Sequence, residues 1–220
     1  MQTVERRHTP NARASVKVVK RAEGDPPVIS GYAAVFYNAD DPGTEYELWD
    51  CMVERIASGA FDRALREAHD ARGLFNHDAN MLLGRVSSGT LKLSVDEIGL
   101  RYELSPPDTQ AGRDVVVSIE RGDLSGSSFA FVPTRSVWIE EGDRCIRMIE
   151  DLDLYDVCPV TYPAYKSTST HMRSQDRERL EQELKEWRAA HPSQADAVNV
   201  RLRQIELDDH DLIDTVLSDI

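Results

Sequence analysis

Residues 124–162 read LSGSSFAFVPTRSVWIEEGDRCIRMIEDLDLYDVCPVTY. Apolar, aromatic and β-branched side chains recur along this stretch without a helical period, and it predicts three strands: Ser127 to Val132, Val137 to Glu140, and Cys145 to Val160 with a break near Asp151 to Asp153. A core of this kind is mainly β.

Working upstream, Thr109 is a predicted N-cap for a helix over Ala111 to Arg121, with Val115, Val116 and Ile119 as its apolar stripe and Gly122 as its left-handed stop. From Gly84 to Leu104 the apolar residues fall mostly at period two, and turns at Ser88-Gly89 and Asp96 to Gly99 cut the run into hairpin strands. Gly73 to Asp78 begins another short strand. Ser58 is the predicted cap of a helix over Ala60 to His69, and Tyr46 to Ile56 reads as a strand. Ala14 to Arg21 and Val28 to Tyr37 are strands separated by the turn Gly24-Asp-Pro-Pro27, so they are expected to pair; Gly31 implies a bulge or a close backbone approach. Residues 1–12 are polar and read as a flexible N-terminus.

Downstream, Lys166 to Thr170 is a polar linker. Ser174 opens a helix with Leu180, Leu184 and Trp187 on one narrow seam, and Val198, Leu202, Ile205, Leu212 and Val216 mark further amphipathic turns. Such a tail suits docking on the core, homo-oligomerisation through its helices, or partner binding. The organisation is therefore a flexible segment over 1–12, a main domain over 13–166, and a linker with a helical tail over 167–220. Many short strands with two embedded helices point to a mainly β, α+β fold, a closed or partly closed barrel flanked by helices.

The totals narrow the function classes. The formal net charge of −13 comes without a Lys/Arg-rich block, so no nucleic-acid surface is expected. Three cysteines, Cys51, Cys145 and Cys158, with no C-x-x-C spacing argue against a disulfide framework or structural zinc, and no metal or cofactor is expected. No signal peptide, transmembrane segment or membrane partner is read from the chain.

Two segments carry chemistry. Asn76-His-Asp78 sits between an apolar run and a polar turn, where an imidazole is exposed at a strand end; a histidine bonded to turn backbone is the competing reading. A zinc set of His69, His77 and Asp78 matches no common ligand spacing. In Leu124-Ser-Gly-Ser-Ser-Phe-Ala-Phe131 two hydroxyls follow a glycine at the mouth of an aromatic strand. A serine hydroxyl is a weak nucleophile until a base takes its proton, so the motif needs a histidine beside it in space. Cys158, before a proline in an apolar run, reads as a buried thiol.

Gly31-Tyr-Ala-Ala-Val-Phe36, Ser58-Gly-Ala-Phe61, Asn76-His-Asp78, Leu83-Gly84, Gly99-Leu100, Gly122 to Phe131 and Val160-Thr-Tyr-Pro-Ala164 occur in an order and at spacings that resemble the HK97-type phage prohead (capsid maturation) serine proteases. The likeness spans roughly residues 14 to 165. It implies a herpesvirus-assemblin-like β-barrel and an endopeptidase acting inside the immature capsid in the host cytoplasm, with the major capsid protein, the scaffold and itself as substrates. It assigns the catalytic histidine to His77 and the nucleophile to Ser128, with Ser127 at the variable position. The family's acidic third member, usually Glu, falls on Asp156, one methylene shorter, with Asp153 and Glu150 in reserve. Ala130 stands where the family has a second glycine. The alternatives are a catalytically inactive assembly or scaffold protein with the same fold and a cysteine hydrolase that uses Cys158 with a histidine.

Overall fold

The structure is a computed structural model that describes residues 3–9, 15–20, 22–49, 51–162 and 174–191. In chain order its elements are β1 (Glu5–His8), β2 (Lys17–Val19), β3 (Val28–Val35), β4 (Tyr46–Trp49), β5 (Met52–Ile56), α1 (Asp62–Arg66), β6 (Arg72–Phe75), β7 (Asp78–Arg85), β8 (Leu91–Val95), β9 (Gly99–Leu104), α2 (Gln110–Glu120), β10 (Gly126–Glu141), β11 (Arg144–Val160) and α3 (Ser174–Ala190).

The stretch quoted above forms one long antiparallel hairpin, not three separate strands. β10 and β11 meet across a two-residue loop whose Gly142 has φ 64°, a left-handed value that glycine adopts without Cβ strain. Pro133 lacks an N–H, and the register slips beside it between Pro133 and Arg135 and again before Ser136. Such bulges bend the pair without ending it.

This hairpin is the spine of the larger sheet, ordered β1-β10-β11-β5-β4, with β6 also lying parallel to β11 and β7 antiparallel to β6. The smaller sheet runs β2-β3-β9-β8, and β2 and β3 pair as the sequence predicts. The expectation of a closed or partly closed barrel is corrected: no closed barrel is formed. Among the described residues the two sheets are open and joined at their corners by isolated backbone bonds, such as Val16 N to Ser125 O and Tyr37 N to Ile56 O. Phe61, Tyr102, Phe129 and Leu104 are buried in one apolar cluster that draws on both sheets. Side chains that size hold facing strands at packing distance, about 10 Å, and not at the ~4.8 Å of a ladder. Gly31 is one close approach: a Cβ there would lie 3.2 Å from both Ser127 Oγ of the facing sheet and Tyr102 Oη.

Three local readings change. The predicted strand over Tyr46 to Ile56 is two strands, because Cys51 turns the chain at φ 63°. The first helix is only Asp62–Arg66, and its N-cap is Phe61, with no side-chain cap from Ser58. Thr109 does cap α2, its Oγ1 accepting from Gly112 N at 3.2 Å. The N-terminal segment, read as flexible over 1–12, contributes β1, which pairs with β10 from Glu5↔Phe131 to His8↔Ser128.

The narrow seam of α3 packs on the body: Leu180 is fully buried with Leu48, Met52 and Trp138, flanked by Leu184 and Trp187. The expectations for the 166–170 linker and for Val198, Leu202, Ile205, Leu212 and Val216 lie outside the described residues. No helix among the described residues is long and apolar enough to cross a membrane.

Candidate active site

His77 stands on the turn between β6 and β7. Phe75 pairs with Asp78, so Asn76 and His77 form a two-residue hairpin loop, with φ 53° and 57°. Two left-handed residues in succession define the turn whose twist matches a hairpin, and asparagine tolerates that conformation well. Histidine does so at some cost, and the surroundings hold it there. Asn76 N donates to Pro159 O at 3.2 Å, Asn76 Nδ2 donates to Thr161 Oγ1 at 2.9 Å, and Thr161 N donates back to Asn76 Oδ1 at 2.9 Å. The turn is thereby clamped to the end of β11.

That clamp places the imidazole over the β10–β11 hairpin. Ser128 lies opposite Cys158, and Asp156 opposite Ala130, so the serine and the carboxylate sit two residues apart along one face. His77 Nδ1 lies 2.6 Å from Asp156 Oδ1, and His77 Nε2 lies 2.7 Å from Ser128 Oγ. With Nδ1–H donating to the carboxylate, Nε2 is left as the acceptor. Ser127 points to the other face, 3.0 Å from Tyr102 Oη in the core. Strand alternation alone thus separates two adjacent serines into one at the site and one in the packing.

The reserve acids are engaged elsewhere: Asp153 accepts from Arg63 Nη2 at 2.7 Å, and Glu150 accepts from Arg135 Nε at 2.9 Å. His69 Nδ1 accepts from Leu154 N at 3.4 Å and Asp78 Oδ1 accepts from Asn80 N at 2.8 Å, so these two do not join His77 as a ligand set. Cys158 does come near, its ligand atom lying with those of His77 and Asp156 within 4.8 Å of one another. Both ring nitrogens of His77 are already engaged. Burial, reinforced by the Asp156 charge, pushes the Cys158 thiol well above its usual range, so it stays protonated and is a poor ligand and nucleophile. Cys158→Ala is accordingly expected to keep cleavage of a peptide substrate within about threefold of wild type, while the small cavity lowers the melting temperature. A progress curve abolished in that variant would make the thiol part of the chemistry.

Hydrophobic patterning misses one side of this site. β1 lies along β10 with His8 opposite Ser128, and the His8 and His77 rings meet edge to face with centroids 6.4 Å apart. Ser128 is fully buried beneath it, and its hydroxyl also reaches the Arg7 carbonyl oxygen at 2.8 Å. Glu5-Arg-Arg-His8 has no apolar period and its inward side chains, Glu5 and Arg7, are charged, so no pattern in the sequence marks it as a strand.

A sequence model described as caudovirus prohead serine protease matches residues 14–183. No curated protein matches the chain. Among solved structures, that of the bacteriophage T4 capsid assembly protease, gp21, is similar at a TM-score of 0.44 and 12% identity, over 74% of this chain and 98% of that one.

Proposed function

Because the chain belongs to the caudovirus prohead serine protease family, we propose that it is a capsid-maturation endopeptidase in which Ser128 is the nucleophile, His77 its base and Asp156 the group that orients the imidazole. The observation that carries this reading is the unbroken relay Asp156 Oδ1–His77 Nδ1 at 2.6 Å and His77 Nε2–Ser128 Oγ at 2.7 Å.

In the proposed cycle Ser128 Oγ attacks the scissile carbonyl carbon while its proton passes to His77 Nε2. The imidazolium, stabilised by Asp156, returns that proton to the leaving amine as the C–N bond breaks. Water then attacks the acyl-enzyme, again deprotonated through His77, and frees Ser128.

The N-terminal strand bears on self-processing. One hydroxyl hydrogen cannot serve both Arg7 O and His77 Nε2, so β1, as seated, competes with the base for the Ser128 proton. Its removal would open the site. Substrates in this reading are the major capsid protein, the scaffold and the protease itself, within the procapsid in the host cytoplasm.

Co-expression with the cognate capsid protein and scaffold, followed by intact mass measurement, tests the assignment. Shortened capsid protein with wild type and full-length protein with Ser128→Ala is the expected pair of results. Processing that persists in Ser128→Ala would remove Ser128 from the mechanism, and capsid protein left intact by the wild type would favour an assembly role without proteolysis.

A further inference from the structure

Resting on Ser128 as the nucleophile, we propose that Glu54 determines specificity by receiving an arginine side chain immediately before the scissile bond. In the same proposal Arg147 and Arg179 receive an acidic side chain two residues earlier. The first peptide to fit is the chain's own Glu5-Arg6-Arg7, cut between Arg7 and His8.

The placement of β1 carries this. As an edge strand on β10, it alternates, with Glu5 and Arg7 turned inward and buried and Arg6 exposed. The backbone carbonyl in contact with Ser128 Oγ, at 2.8 Å, is that of Arg7. The peptide bond beside the nucleophile is therefore Arg7–His8, and Arg7 is the residue whose side chain a specificity pocket would read.

That side chain has a built receptor. Arg7 Nε donates to Glu54 Oε1 at 2.7 Å and Nη2 to Glu54 Oε2 at 3.0 Å, a two-point fork on a fully buried carboxylate, and the guanidinium lies 5.6 Å from the Phe131 ring centroid. Two residues earlier, the Glu5 carboxylate accepts from Arg147 Nη1 at 3.0 and 3.1 Å and from Arg179 Nη2 at 2.8 Å.

Charge balance distinguishes a subsite from a structural cluster. The body supplies Glu54, Glu183, Arg147 and Arg179, which pair among themselves: Arg147 Nη1 to Glu54 at 3.2 Å, Arg147 Nη2 to Glu183 at 3.4 Å, and Arg179 Nη1 to Glu183 at 2.5 Å. This wall is neutral without β1 and can outlast its departure. The strand adds one anion, Glu5, and one cation, Arg7, so an acid-x-base peptide enters without leaving an unpaired buried charge. A peptide carrying an apolar or acidic residue at the Arg7 position breaks that balance.

The step conserves atoms and protons. Ser128 Oγ bonds to the Arg7 carbonyl carbon, the Arg7–His8 C–N bond breaks, His77 passes the hydroxyl proton to the His8 amine, and water releases the Arg7 carboxylate.

Incubating the purified full chain and reading intact mass should show residues 1–7 lost, with His8 as the new N-terminus and no change in Ser128→Ala. Arg7→Lys should slow the release about tenfold, since an ammonium cannot make the fork, and Arg7→Leu about 10²-fold. Quenched peptides carrying the sequence of residues 3–12, with Arg, Lys or Leu at the Arg7 position, should give the same ranking in kcat/KM. In Glu54→Gln the Arg-to-Leu ratio should collapse to within about threefold, a ratio that general loosening of the fold would leave unchanged. Ser128-dependent cleavage at another bond, an Arg-to-Leu ratio near one in wild type, or a ratio preserved in Glu54→Gln overturns the proposal while leaving the nucleophile assignment intact. Absence of Ser128-dependent hydrolysis of every substrate, capsid protein included, would instead overturn the assignment beneath it.

Discussion

Asp156→Asn should lower kcat/KM by about 10⁴-fold while the protein stays folded. The carboxylate accepts the Nδ1 proton of His77 at 2.6 Å, which fixes the tautomer that leaves Nε2 free to accept from Ser128. An asparagine amide can present its NH₂ to Nδ1, which then becomes the acceptor and puts the ring proton on Nε2. A protonated Nε2 donates to Ser128 Oγ and can no longer take its proton. Little volume changes, and Asp156 is mostly buried, so packing is preserved and the loss is chemical. Steady-state kinetics on a peptide substrate, with circular dichroism to establish the fold, checks this. Activity within tenfold of wild type would mean that another group orients the imidazole. Asp156→Glu inserts a methylene into a 2.6 Å contact and is also expected to lose activity, though less.

Why an aspartate reaches here follows from the backbone. β6 runs parallel to β11 with Arg72 opposite Asp156 and Gly73 opposite Val157, which carries the Asn76-His77 turn across the hairpin close enough for the shorter side chain. That pairing is not legible in the sequence. Asn76-His77 is readable as a polar turn because two-residue hairpins favour residues that tolerate left-handed backbone. Chemistry alone makes the Gly126-Ser127-Ser128 motif noticeable but does not choose between its two hydroxyls; the resemblance chooses Ser128. Which strands ladder together is decided by tertiary packing: Phe61, Tyr102 and Phe129 have the same apolar character whether their sheets close or stay open, and so the barrel was expected where two open sheets stand. β1 failed for the opposite reason. Its burial rests on ion pairs with residues such as Glu54, Arg147 and Arg179, far away in sequence, and no local hydrophobic period records them.

Arg147→Met should cost about 3–5 kcal/mol in urea unfolding at neutral pH. The guanidinium is almost fully buried, bridges Glu5 and Glu54, and lies 5.9 Å from the Trp138 ring centroid. Methionine replaces much of its volume but leaves buried carboxylates short of a counter-charge, and the unpaired charge dominates the loss. Adding Glu54→Gln should recover part of the stability, whereas a loss under 1 kcal/mol for Arg147→Met would show that water reaches the cluster. The same substitution should move the acid limb of the stability curve. Burial alone would raise the Glu5 carboxyl, but Arg7, Arg147 and Arg179 outweigh it and hold it at about 2 against an ordinary 4.5. A folded-state pKa below the unfolded one stabilises the fold fully above pH 4.5, and that contribution fades as pH falls toward 2. Without Arg147 the contribution should be smaller, and the fade should be complete at a higher pH. In a chain that starts at His8 the Glu5 contribution should be absent altogether, because the group that carries it has left with the peptide. Comparing the acid limbs of the Ser128→Ala chain and its processed counterpart therefore reads, through stability alone, whether β1 is a permanent strand of the sheet or a bound peptide awaiting release.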